Sequence, residues 1–264
     1  MPITPQYQLK RIPENAFKNL DYQVMGLVFT IHNELGRFFD EKIYASLLCQ
    51  SLCEEGLQAS REFQLQIEHK NFKKVYYMDL LIESTIPYEL KTVHSLSHAH
   101  DAQLLNYLFI ADLAHGKLVN FRETSINGRY LSTSLSRKDR RKYQLHLVNW
   151  QEELNSPDIV PILTELLEDW GTHLSVELYK EALCHLLGIQ THCHRLLELK
   201  HNGMKLGTTE PPMLNSETIF HLTAIRQQYK EQESHIRRLL HMSNARKVQW
   251  INFDHSHITL TTIT

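Results

Sequence analysis

The stretch MDLLIESTIPYELKTV, residues 78–93, places Asp79, Glu89 and Lys91 inside two apolar, strand-length runs separated by a turn at residues 84–87. A strand sends alternate residues to one face, so Glu89 and Lys91 project together while Leu90 points into the core. Asp79 lies on the neighbouring run, close enough across the turn to converge on the same point. Two carboxylates and the Leu90 carbonyl form an oxygen donor set suited to a hard divalent ion. Lys91 beside the ion's water would orient it, ease its deprotonation, or offset charge developing on a phosphoryl group. These residue types suit hydrolysis of a phosphodiester. An acid followed loosely by Glu-x-Lys also recurs by chance, as solvated charge on an exposed strand face. Chemistry is favoured here because the strands are otherwise apolar and the next helical segment carries Gln103 and Tyr107, four apart and therefore on one face.

The elements that must position this group can be read in order. FKNLDYQVMGLVFTIHNELG sets Leu20, Val24, Leu27, Val28, Ile31 and Leu35 at helical spacing and stops at Gly36. EKIYASLLCQSLCEE gives a second helix from Glu41 to Glu55. The period then becomes two in EFQLQIEH, KKVYYMDLLIE and PYELKTV, a three-stranded meander with breaks at Asn71 and at residues 84–87. HAHDAQLLNYLFIADL returns to helical spacing, and GKLVNF adds a strand. Two short strand-like runs, RYLSTSL and YQLHLVNW, flank the basic turn SRKDRRK (136–142), a weak hint of a nucleic-acid surface that reads more simply as solvated charge. Pro157 and Pro161 introduce a further helix.

With IHNELGRFFDEKIY supplying Gly36, Glu41 and Tyr44, and with HDAQLLNYL and GKLVNF following, residues 18 to 122 resemble the GxxExxY proteins of the PD-(D/E)XK nuclease superfamily. Arg37 and Phe38 stand where that family commonly has a small residue. The resemblance implies a restriction-endonuclease-like α/β fold, a mixed sheet flanked by helices. It also implies a metal-binding and catalytic role for Asp79, Glu89 and Lys91, substrate positioning by Gln103 and Tyr107, and an added acidic group from Glu41. The implied metal ligands are Asp79, Glu89 and the Leu90 carbonyl; the implied cofactor is Mg²⁺ or Mn²⁺ and the implied partner nucleic acid, DNA before RNA. His32 and His100 fall near the site in the family layout, although a lone histidine is more often a satisfied structural group.

The second half repeats the first. GTHLSVELYKEALCHLLG matches GRFFDEKIYASLLCQSLC at an offset of 135, aligning Gly36 with Gly171, Tyr44 with Tyr179, Leu48 with Leu183 and Cys49 with Cys184. YELKTV aligns with FHLTAI, and GKLVNF with the end of RKVQWINF, at an offset of 132. A constant register over this length points to duplication. The alignment puts Pro211 over Asp79, His221 over Glu89, Thr223 over Lys91 and His235 over Gln103, so the second copy has lost the metal charge and the cation. The expected organisation is a leader (1–17), a nuclease-like lobe (18–122), connecting strands and linker (123–157) and a degenerate, scaffolding lobe (158–264), the two lobes meeting as an internal pseudo-dimer. The rival reading is a non-catalytic interaction or structural protein that keeps the fold.

Composition bounds the remaining classes. Of 264 residues, 42% are hydrophobic and 22% charged, as in ordinary folded domains, and the net charge of −2 gives no global basic field for non-specific DNA binding. No apolar run approaches the length that crosses a bilayer and no signal sequence opens the chain, so a cytoplasmic location without a membrane partner is expected. Cys49 and Cys53, at i and i+4, read as helix packing residues in a reducing compartment. Cys184, His185, His192, Cys193 and His194 lack paired zinc-finger spacing, and strand alternation would divide them, so zinc is not expected.

Overall fold

The computed structural model describes residues 3–5, 8–152, 159–189 and 196–264. The chain divides into two compact units, 1–68 with 73–137, and 69–72 with 138–264. His192, Cys193 and His194, and residues 153–158 that introduce the second half, lie outside the described residues.

The first unit opens with a short strand β1 (Ile3–Pro5), followed by helices α1 (Glu14–Leu35) and α2 (Glu41–Glu54). Pro13 supplies the extended entry to α1, and Gly36, at φ 71° and ψ −149°, supplies a positive-φ exit that other residues adopt at a cost. Val24, Val28 and Ile31 of α1, with Tyr44, Leu48 and Leu52 of α2, form buried stripes on one helix face each. They pack on Leu80, Ile82, Ile86, Tyr88, Leu90, Val119 and Phe121. Each such aliphatic side chain contributes about 1.5–3 kcal/mol when fully buried.

The sheet beneath them contains β2 (Ala59–His69), β3 (Phe72–Ile82), β4 (Ile86–Lys91), β5 (His115–Asn120) and β6 (Asn127–Ser132), with α3 (His98–Ala111) between β4 and β5. The strand order is β1-β2-β3-β4-β5-β6. Antiparallel β3/β4, parallel β4/β5 and antiparallel β5/β6 pairs make the sheet mixed, and α3 is the crossover that a parallel pair requires. All six residues of β4 are buried, as in a strand covered on both faces. This is the expected restriction-endonuclease-like arrangement, a mixed sheet flanked by helices.

The second unit comprises α4 (Arg137–Arg140, at its border), β7 (Gln144–Val148), α5 (Ile159–Trp170), α6 (Val176–Leu186), β8 (Leu197–His201), β9 (Met204–Thr209), β10 (Thr218–Thr223), α7 (Tyr229–Met242), β11 (Lys247–Asp254) and β12 (His257–Ile263). From α5 to β12 the order of helices and strands repeats that from α1 to β6. Parallel β10/β11 and antiparallel β11/β12 repeat the β4/β5 and β5/β6 pairs, and each partner is shifted by 132: Leu90↔Val119 becomes Leu222↔Ile251, and Lys117↔Tyr130 becomes Gln249↔Thr262. One difference is that β8 and β9 form their own two-stranded sheet. Pro211 and Pro212, where the first unit has Asp79 and Leu80, have no N–H to continue a ladder. Of that pairing the Met213↔Ile219 bridge survives, with the hydrogen bonds from Phe220 N–H to Pro212 O (2.8 Å) and from Leu214 N–H to Thr218 O (2.9 Å) on either side of it.

The segment 123–157 does not act as one connector, since β6 joins the first sheet while β7 pairs in parallel with β12 of the second. Its basic run is charged surface only in part, with Lys138, Arg141 and Lys142 exposed. Arg140 is fully buried and donates to Trp170 O and Thr172 O, both at 2.9 Å. Arg141 donates to Asp169 O, and Lys142 pairs with Asp139. Gly171 is held at φ 78° under Arg140, where a Cβ would meet the Arg140 Cβ at 2.9 Å. No helix among the described residues is long and apolar enough to cross a membrane.

Candidate active site

Strand alternation divides β4 cleanly. Tyr88 and Leu90 enter the cluster under α1 and α2, while Glu89 and Lys91 leave on the other face. Glu89 is 2% exposed and Lys91 8%, and the Lys91 Nζ lies 2.8 Å from Glu89 Oε1. The same ammonium is 3.8 Å from Asp79 Oδ2 and 4.0 Å from Glu41 Oε2. Asp79, on β3, accepts the Leu90 N–H through Oδ2 at 2.8 Å. A residue's N–H and C=O leave a strand on the same edge, so the Leu90 carbonyl faces the Asp79 side. Glu41, in the first turn of α2, accepts the Thr92 N–H at 3.1 Å and so ties that helix to the end of β4.

Burial sets the electrostatics. It raises the Asp79 pKa, opposed by Lys91 and the Leu90 N–H and aided by Glu41 and Glu62. Burial, and then the charge of Asp79, push Glu89 up to about 7. Burial alone would lower Lys91, but Glu89, Asp79 and Glu41 together hold it above its ordinary value. One ammonium thus stands among several mutually repelling carboxylates. Among the described residues, no three His, Cys, Asp or Glu side chains are grouped closely enough to hold an ion as they stand. The donor set nevertheless fits one: Glu89 Oε2 is buried without a hydrogen-bond partner, an unmet demand that a cation would satisfy.

Gln103 and Tyr107 share a face of α3, and Gln103 Nε2 donates to Tyr107 Oη at 3.1 Å. Burial first, then the Glu89 and Asp79 charges, raise Tyr107 to about 12, so it stays a neutral donor. The two histidines do structural work. His100 Nδ1 accepts the Ser97 N–H and closes the capping box of α3, and His32 Nε2 lies 3.2 Å from Glu123 O.

Some neighbours carried no sequence signal. A solvent-open cavity of about 100 Å³ is lined by Glu41, Lys42, Ala45, Arg61, Glu62 and Asp79. Glu62 reaches it from β2 with φ at 48°, a backbone conformation that strand periodicity does not reveal. Asn120 did leave a signal, as the polar residue in an apolar strand. It is fully buried, accepts the Val93 N–H at 3.1 Å and donates to Val93 O at 2.8 Å, fixing the chain just after Lys91.

An acid on one strand and Glu-x-Lys on the next, bounded by an α3-type crossover, can now be set against known proteins. Residues 18–130 match the PD-(D/E)XK nuclease superfamily. No curated protein and no solved structure matches the chain. The superfamily match runs from α1 into β6 and so contains Glu41, Asp79, Glu89, Lys91, Gln103 and Tyr107. It supports nuclease-like function for this segment, and PD-(D/E)XK nucleases typically use divalent metals.

Proposed function

We propose that the first unit hydrolyses phosphodiester bonds of nucleic acid, DNA before RNA, with Mg²⁺ or Mn²⁺. The observation that carries this reading is the buried Glu89 carboxylate, with one oxygen on Lys91 and the other unpartnered, beside Asp79 and the Leu90 backbone. Asp79, Glu89 and the Leu90 carbonyl are the groups that would hold the ion, which supplies Lewis-acid chemistry toward the scissile phosphate when bound. Lys91 keeps its proton and is placed to orient the attacking water and to offset negative charge on the phosphate. Glu41 fixes the end of β4, and Gln103 and Tyr107 offer neutral donors for positioning substrate.

The second unit is, on this proposal, a degenerate copy without activity. Supporting it, Tyr44 and Tyr179 each donate to the carbonyl of the glycine eight residues earlier, Gly36 and Gly171, and each stacks on a phenylalanine, Phe121 and Phe253. Asn252 holds the Ile225 N–H and C=O as Asn120 holds those of Val93. At the Lys91 position, Thr223 instead accepts the Trp250 indole N–H at 2.8 Å and donates to Asn252 Oδ1. The place of the cation has become packing.

A second reading, a non-catalytic interaction or structural protein, draws on Lys91 lying within 4.0 Å of Asp79, Glu89 and Glu41 and offsetting part of their charge without an ion. Incubating the full chain with labelled linear, circular and single-stranded substrates, with and without Mn²⁺, separates the two. Ion-dependent cleavage supports the nuclease; intact substrates throughout support the scaffold.

A further inference from the structure

The turn between α1 and α2 reads Arg37-Phe38-Phe39-Asp40, and Phe38 is 73% exposed. An exposed phenylalanine alone means little, but this one is neither alone nor remote. Phe39 and Ile43 are also exposed beside it. Two guanidinium groups address its ring, Arg37 at 5.2 Å and Arg122 at 5.3 Å from the centroid. Among the described residues neither guanidinium is ion-paired with a carboxylate; Arg122 is exposed and Arg37 partly so. The patch adjoins the carboxylate site along two separate chain segments. Phe38 is three residues before Glu41, a span of at most about 10 Å. Arg122 follows Phe121, whose N–H donates to Lys91 O at 2.8 Å.

We propose that Phe38, with Arg37 and Arg122, is a stacking platform that delivers single-stranded nucleic acid to the site. This rests on the nuclease reading and narrows its substrate. An aromatic face needs an unpaired base to stack on it, because the bases of an intact duplex already have both faces covered. The guanidinium groups lying over the ring share the stack, or swing off it to take the flanking phosphates. Duplex binding draws instead on a wide basic surface, and the net charge of −2, with Arg140 buried out of the basic run at 136–142, offers little of one.

The test is fluorescence anisotropy of a labelled single-stranded DNA oligonucleotide and of the blunt duplex of the same sequence. Both are titrated with the full chain in Ca²⁺ so that strands remain uncut. Wild type binds the single strand more tightly than the duplex. Phe38→Ala weakens single-strand binding about tenfold, as expected for one lost stacked base, and Phe38→Trp restores it. Arg122→Ala weakens it too and lowers the slope of log affinity against log salt by about 0.7, one phosphate contact. Tighter duplex binding, or unchanged single-strand binding in Phe38→Ala, overturns the proposal. So does a Phe38→Ala variant altered only in self-association, which would assign the patch to a second copy of the chain. Cleavage by wild type in Mn²⁺, run in parallel, keeps the two readings apart. Cleavage with Phe38-independent binding removes the platform alone, whereas Phe38-dependent binding without cleavage removes the nuclease and leaves the platform.

Discussion

Without an ion, Glu89 ionises only at about 7, because burial and the neighbouring Asp79 disfavour its charge, whereas its ordinary value is 4.5. Between these values the native chain holds a proton that the unfolded chain has released, so the Glu89 contribution to stability falls as pH rises through this window. His173, lowered to about 4 by burial and by His255, acts with the opposite sign over part of the same range. The clean quantity is therefore wild type minus Glu89→Gln. In chelator, denaturant unfolding is expected to show wild type losing stability relative to Glu89→Gln between pH 5 and 7.5; a constant difference would mean that Glu89 ionises normally. At pH 7.5, Mn²⁺ should stabilise wild type by about 2.7 kcal/mol at a hundredfold excess over its Kd and leave Asp79→Ala unshifted. Lys91→Ala should retain that shift and lose orders of magnitude in hydrolysis, measured in single-turnover cleavage. Asp79, Glu89 and Lys91 were legible because alternation in a strand is a local property. Glu62 was not, because its approach depends on a positive φ that the letters do not encode.

Among the elements, the strand ends after β4 and β10 are held by the same device. Asn120 and Asn252 each satisfy both backbone groups of one residue, Val93 and Ile225. Replacing either with alanine leaves a donor and an acceptor unpaired, at a cost of about 1–3 kcal/mol. Urea unfolding should register this loss for both Asn120→Ala and Asn252→Ala, while cleavage rates should fall only for Asn120→Ala, which loosens the chain after Lys91. The helices and strands of the first unit were readable from period, since each buries one face. Within the basic run, read as solvated charge, Arg140 alone was hidden, because charge in a sequence does not say whether carbonyls such as Trp170 O and Thr172 O wait to receive it. The Pro211-Pro212 pair did carry its message, a broken ladder between β9 and β10, but the consequence appears only in three dimensions.

For the whole molecule, the repeated order and the constant shift of 132 in strand partners set Pro211, His221 and Thr223 where the first unit has Asp79, Glu89 and Lys91, so on the proposed function chemistry belongs to one unit. His221→Ala and Thr223→Ala should leave hydrolysis unaffected. Thr223→Ala should still cost about 1 kcal/mol in unfolding, because the Trp250 N–H loses its acceptor. Sequence alignment suggests this division through residue identities, but the split of the 123–157 segment between two sheets depended on pairings too distant along the chain to read. The most direct test of a metal-dependent nuclease in the first unit is single-turnover cleavage of a labelled single-stranded oligonucleotide, wild type beside Glu89→Gln, in Mn²⁺ and in chelator. Product from wild type in Mn²⁺ alone is the expected result; equal product from Glu89→Gln, or cleavage that persists in chelator, would contradict it.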